Sequence, residues 1–234
     1  MMRRIENPIW MALTTRQEQF AEINGQVRRF PVEVTSLAAF PEPTHAAFEA
    51  LRQILKPDEG SALFLLGEAE LPRTLCAIEV APMLQMIHSA KSTQTHEVEF
   101  NELSDRDVPE MTALAALTKP GPFGKRTREL GTYLGIRRDG KLVAMAGERL
   151  RVPGYTEVSA VCTHPDHTGK GYSRALVNEI VERIRQRGEV PMLHVRQANT
   201  RAVELYKRLG FAESATFHLT MVRKNEARRL TAIG

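Results

Sequence analysis

Cysteine is scarce: the 234 residues hold two, Cys76 and Cys162, far apart and without a CxxC pair or a Cys/His cluster. Neither a disulfide framework nor a metal site is indicated, and both thiols read as reduced and structural. Long apolar runs are missing as well. No run is longer than Ala62 to Leu66, far too short to span a bilayer, and no signal-like apolar region follows the arginines of the opening MMRRIENPIW. No membrane partner is expected, and the cytoplasm is the expected location. Aromatic residues make up 6% and never alternate with basic ones as in single-strand binders, so nucleic acid is not an expected partner either. What is present, 42% hydrophobic and 26% charged residues, is the composition of an ordinary folded chain.

The formal net charge of +4 is unevenly placed. Residues 1–95 carry 9 Lys and Arg against 11 Asp and Glu, and the remainder carries 23 against 17. A basic second half attracts anions, and the scatter of its charges favours a small anionic ligand over a polynucleotide.

Residues 32–68 read as strand, turn, helix, turn, strand: Pro41 and Pro43 punctuate, Ala47, Leu51, Ile54 and Leu55 keep helical spacing, and Lys56-Pro57 stops the helix. A further strand or short buried segment fits AIEVAPMLQMIHS, and the polar run Ala90 to Thr95 is the expected linker between residues 1–95 and 96–234. Beyond it, DVPEMTALAAL reads as a helix with Asp107 as N-cap and Glu110 completing a box-like signal. TYLGIRR, DGK and LVAMAGERL read as a hairpin, and TEVSAVCTH as a strand. Leu176, Val177, Ile180, Val181 and Ile184 share one helical face that Gly188 ends. A strand at VPMLHV, a helix at TRAVELYKRL and a strand at FHLTMVRK complete a mixed α/β order.

The strand TEVSAVCTH runs through HTGKGYSRAL into that helix. A strand that turns over two glycines into a helix presents backbone N–H groups at the positive end of the helix dipole, a ready anion cradle. The turn lacks the GxxxxGK[ST] of a P-loop, and Arg174 stands where a dinucleotide GxGxxG needs its third glycine. It resembles instead the pyrophosphate loop [QR]xxGx[GA] of the GNAT superfamily of acyl-CoA N-acyltransferases, with Gly171 as central glycine. Thr168 and Ser173 depart from the pattern at its first and last positions. The flanks match more closely: a strand with an acidic residue, His-Pro at its exit, and about thirty residues on the block NTRAVELYKRLGF, which is similar to the family's N-x-x-A-x-x-x-Y-x-x-x-G-F. The resemblance runs from about Val98 to Lys224 and is nearest the FR47-like branch.

What the resemblance implies is an α/β (α+β) fold with a central, mostly antiparallel sheet flanked by helices, and N-acetyl transfer from acetyl-CoA, with no metal, to a primary amine of a small molecule. The loop positions Thr168, Gly169, Lys170, Gly171, Tyr172, Ser173 and Arg174 would hold the CoA pyrophosphate. Val161, Cys162 and Thr163 would line the pantetheine arm, with Asn199 and Tyr206 facing the same groove. Tyr206 matches the family's acid for the CoA thiolate. Glu157 stands where several relatives carry a base, and Glu148 on the neighbouring strand is its rival. Strand alternation puts Glu157, Ser159 and Val161 on one face and Cys162 on the other, in the core. Phe123, Arg126 and Thr127 are candidates for acceptor recognition, with Arg126 suited to a carboxylate. Residues 1–95 would form an α/β unit, a degenerate copy of the same fold that covers the sheet or supports a homodimer. The alternative to an enzyme is a CoA-binding regulatory module that has lost turnover.

Overall fold

The computed structural model describes residues 4–89 and 98–225. The expected linker at 90–95 lies outside the described residues. In chain order the elements are α1 (Pro8–Leu13), β1 (Glu22–Asn24), β2 (Val27–Arg29), β3 (Ala38–Ala39), α2 (His45–Ile54), β4 (Gly60–Leu65) and β5 (Leu75–His88). There follow β6 (Asn101–Glu102), α3 (Val108–Thr118), β7 (Tyr133–Arg138), β8 (Lys141–Val152), β9 (Tyr155–Thr163), α4 (Tyr172–Gln186), β10 (Val190–Arg196), α5 (Thr200–Arg208) and β11 (Phe211–Lys224).

Local signals explain most boundaries. Asp139 (φ 50°) and Gly140 (φ 77°) both take the left-handed conformation that a tight β7–β8 hairpin requires. Thr44 accepts a hydrogen bond from the Ala47 N–H and starts α2. Helix α3 starts where expected, with Asp107 as its N-cap residue, although the Asp107 side chain makes no cap bond there. The capping box sits one turn earlier, where the Ser104 N–H and hydroxyl both donate to Asp107 Oδ2 at 2.7 and 2.8 Å. Glu110 instead accepts from Arg137 at 2.6 Å and from the Leu142 N–H.

Eight strands form one sheet in the order β4-β11-β5-β10-β9-β8-β7-β6, beside a small sheet β1-β2-β3. Every pair in the large sheet is antiparallel except β9–β10. Its strands come from both sides of residue 95: β5 lies between β10 and β11, and β4 pairs with the outer edge of β11. The two halves of the chain therefore share a sheet. On one face α4 and α5 bury Leu176, Ile180 and Val203 against Leu134, Val158 and Leu193. On the other, α1 packs with Leu150, Met192 and Phe217, and α3 with Tyr133, Met145 and Cys162. Among the described residues no helix is long and apolar enough to cross a membrane.

Strand β9 is irregular in two places. Gly147 pairs with Ser159 and Met145 with Cys162, so two steps on β8 match three on β9. The extra residue makes a bulge, with Ala160 at φ 52°. The bulge resets the alternation: Cys162 lies on the same face as Ser159 and Glu157, against expectation, and Val161 packs toward α4 and α5. The second irregularity is a splay. The parallel ladder between β9 and β10 covers three positions and ends at Glu157↔Met192.

Candidate active site

The glycine turn joins β9 to α4. His164 Nδ1 accepts from the Asp166 N–H, and the Thr168 hydroxyl donates to the Pro165 carbonyl at 3.0 Å. Thr168, standing where the resemblance expects Gln or Arg, thus orders the turn by a local bond. Gly169 and Gly171 both have φ of 78°, and a Cβ on either would meet nothing within 4 Å. It is the left-handed backbone, not crowding, that calls for glycine at these positions. Gly171 is the N-cap of the 15-residue α4, with no side-chain cap and no acidic residue in the first turn. Its first N–H groups are left for an anion. The Ser173 and Thr163 hydroxyls lie 2.9 Å apart and tie helix to strand.

A cavity of about 640 Å³ opens from this turn toward the splayed end of β9. Every position expected at the donor lines it except Lys170, which is exposed with Nζ 3.4 Å from His167 Nδ1. On the α5 side Asn199 accepts from the Ala202 N–H at 3.2 Å, capping the helix while facing the cavity. Tyr206, 9% exposed, stands edge-on to Phe211 with ring centroids 6.0 Å apart. Burial, and then the charge Cys162 can carry, push its phenol above the ordinary range. Burial also pushes the Cys162 thiol up to about 11, against bonds with the Thr118 side chain and the Met145 backbone. Sequence reasoning missed Thr118, His167, Ala202, Arg201, Leu205 and Arg208 in the lining. For the last three, the i, i+4, i+7 spacing within NTRAVELYKRLGF was the available signal. Among the described residues no Asp or Glu lines the cavity. An open cradle of N–H groups, arginines and no competing carboxylate fit a pyrophosphate.

Neither of the two carboxylates expected to act as base lines the cavity, and both are engaged in the fold. Glu157 is fully buried and held at both oxygens by the Arg149 fork at 2.7 and 2.8 Å, with the Leu150 N–H and His194 Nδ1 as further partners. Burial alone would raise its carboxyl. The Arg149 guanidinium and His194 override that and hold it well below the usual range. A carboxylate so saturated has no lone pair to offer an amine. The row continues to Gln85 on β5, whose amide meets His194 Nε2 at 3.1 Å and the Ile5 backbone at 3.1 Å. Gln85, His194, Glu157 and Arg149 thus form one buried polar line across β5, β10, β9 and β8. Glu148, also fully buried, pairs with Arg187 at 2.7 Å and Arg151 at 3.3 Å. Arg187 follows the C-terminus of α4, and that helix runs about 22 Å from the glycine turn.

The acceptor candidates divide similarly. Arg126 spends its fork on Glu129, at 2.7 and 2.8 Å, so it is not poised for an acceptor carboxylate. Thr127 is buried: its hydroxyl accepts from the Gly124 N–H and donates to the Val34 carbonyl, docking this loop on residues 33–34. Phe123 packs edge-on to Tyr133 at 5.8 Å, in the cluster that holds Cys162. None of the three lines the cavity.

Comparisons with known proteins agree with this architecture. The FR47-like protein family matches residues 133–219. A 99-residue stretch is 37% identical to the N-alpha-acetyltransferase RimI of Mycobacterium tuberculosis, covering 39% of this chain and 61% of that protein, so the chain spans about three fifths of that relative. Over 121 residues it is 30% identical to the [ribosomal protein bS18]-alanine N-acetyltransferase of Escherichia coli, covering 49% of this chain and 81% of the relative. The crystal structure of a GNAT-family protein from Novosphingobium aromaticivorans superimposes with a TM-score of 0.88 at 35% identity, covering 94% of this chain and 98% of the other. A structure from Kribbella flavida, 19% identical with a TM-score of 0.62 over 94% and 96% of the two chains, shares the fold. With a glycine turn, a splayed strand pair and these relatives in agreement, the chain belongs to the GNAT family of N-acetyltransferases.

Proposed function

We propose that the protein transfers an acetyl group from acetyl-CoA to an α-amino group. The observation that carries this reading is the single cavity joining the uncapped start of α4, the bulged end of β9 and Tyr206. Acetyl-CoA supplies the activated acyl carbon. The backbone of Gly169 to Ser173 binds the pyrophosphate, with Arg174 adding charge. Beyond Glu157 the edge of β9 that faces β10 has no ladder partner, so its backbone is free to align the pantetheine arm and polarise the thioester carbonyl. Tyr206 holds a proton at neutral pH and donates it to the departing sulfur.

The lining bears on the acceptor. With no carboxylate among the described residues of the cavity lining, the amine must arrive largely neutral. At pH 7.5 an α-amine of pKa near 7.8 is roughly one third neutral, against about one in a thousand for a lysine side chain. The small-molecule acceptor expected from sequence narrows accordingly to α-amines, and the relatives' names, an N-alpha-acetyltransferase and an alanine N-acetyltransferase, favour an α-amine on a polypeptide. The test is CoA release with an alanyl peptide, and with an Nα-blocked lysine peptide and a polyamine as competitors. Faster turnover of the blocked lysine or the polyamine would reject the α-amine assignment. Stabilisation by acetyl-CoA with no turnover of any amine would favour the regulatory module.

A further inference from the structure

One side-chain bond crosses the fork between β9 and β10. The parallel ladder of the two strands runs from Val190↔Tyr155 to Met192↔Glu157 and stops. Continued in the same register, it would set His194 beside Ser159. Instead the buried His194 ring reaches back to the last paired residue, with Nδ1 2.7 Å from Glu157 Oε1. On its other edge β10 stays in the sheet, where His194 pairs in register with Gln85 of β5.

The neighbours decide which ring nitrogen carries the hydrogen. Gln85 Oε1 accepts from the Ile5 N–H, so the Gln85 amide nitrogen is the group that meets the Ile5 carbonyl and His194 Nε2, each at 3.1 Å. Nε2 therefore accepts, and the hydrogen sits on Nδ1, which donates it to the Glu157 carboxylate. A bond to an ionised acceptor is stronger than a neutral one, and more so where water is excluded. The ring packs against Phe64 and Phe217, with centroids 5.0 and 5.7 Å away. From the opposite side the Arg149 fork ties Glu157 to β8. The vertex of the fork is thus held by both neighbouring strands, and beyond it no ladder bond sets how far β10 stands from β9.

We propose that His194 is a positioning residue for acetyl transfer: by tying β10 to Glu157 at the vertex, it sets the separation of the strands along the free edge of β9. The proposal rests on the donor reading above, which lays the pantetheine arm along that edge. His194 does not line the cavity, so it acts through the two strands and touches neither substrate. The leverage is large, because a reacting group displaced by about 1 Å can lose about a hundredfold in rate. Glu157→Gln keeps a carbonyl oxygen for the Nδ1 hydrogen and so leaves the tie in place.

The test replaces His194 by Phe, Asn and Gln in the full chain. Phe keeps a ring between Phe64 and Phe217 and deletes both hydrogen bonds. The Asn amide can stand where Nδ1 stands and donate to Glu157, whereas the longer Gln amide takes the place of Nε2 beside Gln85. Thermal melts choose a temperature at which every variant is folded. At that temperature kcat is measured with an alanyl peptide, and acetyl-CoA and adenosine 3′-phosphate 5′-diphosphate, the nucleotide without the arm, are titrated separately. The Phe and Gln variants should bind the bare nucleotide as the parent does, bind acetyl-CoA about tenfold more weakly and lose on the order of a hundredfold in kcat. The Asn variant should recover most of both. Parent-like kcat in the Phe variant, equal recovery by Asn and Gln, or losses that follow melting temperature across the three would make His194 a packing residue and overturn the proposal, leaving the donor reading intact. Failure of the parent to bind acetyl-CoA overturns both.

Discussion

Replacing Tyr206 by Phe keeps the ring against Phe211 and deletes a hydroxyl that has no hydrogen-bond partner among the described residues. Stability and CoA affinity should stay near the parent's, while kcat for CoA release falls on the order of a hundredfold, the usual loss on removing a general acid. A variant as fast as the parent would remove Tyr206 from the reaction. Glu157→Gln should behave in the opposite way. It leaves Arg149 buried without its counter-charge and should cost roughly 3–5 kcal/mol in urea unfolding. At a temperature where the variant is folded, turnover should remain within a few fold, and a far larger loss would restore Glu157 as the base. The pH dependence has a definite sign. Because the folded-state pKa lies below the ordinary 4.5, the stabilisation is complete above that value and is lost as pH falls toward the lowered one. The gap between parent and variant should therefore be flat from about pH 5 to 8 and shrink in acid. The positions of Asn199 and Tyr206 could be read from one short block. The neutralisation of Glu157 could not, because its partners stand on β8 and β10 and only the sheet brings them together.

At the scale of the element, the glycine turn and the bulge do different work. Gly171→Ala forces a Cβ onto φ 78°, which costs about 1–2 kcal/mol of strain and turns the first N–H groups of α4 away from their ligand. Gly25 offers an internal control, with φ 53° and open space around it, but in the turn between β1 and β2. Gly25→Ala and Gly171→Ala should lower the melting temperature similarly, and only Gly171→Ala should weaken acetyl-CoA binding in titration. Equal CoA affinity in the two variants would mean the turn is not the pyrophosphate cradle. The turn was legible because glycines before a helix have one main geometric use. The bulge was not. Strict alternation predicts the face of Cys162 only while each residue advances the strand by one step, and Ala160 breaks that count without a glycine or proline to announce it. The start of α3 at Asp107 was legible and only its box was misplaced, since Ser104 and Asp107 form the box that Asp107 and Glu110 also spell in sequence.

For the whole molecule, the consequential strand is β5. It pairs with β10 on one edge and with β11 on the other, from Phe211↔His88 to Lys224↔Leu75. Such pairing joins residues more than a hundred positions apart and leaves no local trace, which explains why helices and strands could be read individually while their order in the sheet could not. Division of the chain near residue 95 would make residues 96–234 a unit able to fold alone. In the structure that fragment would lose the strand between β10 and β11, and would expose Met192, Phe217 and Leu219 where α1 and β4 now cover them. The structure from Novosphingobium aromaticivorans matches over 94% of this chain, so most of the first half belongs to an arrangement that both proteins share. Expressed alone, residues 96–234 should show no cooperative thermal transition and no stabilisation by acetyl-CoA, and co-expression with residues 1–95 should restore both. A fragment that melts cooperatively and binds acetyl-CoA unaided would show instead that the active-site half closes its own sheet and that β5 is an addition to it.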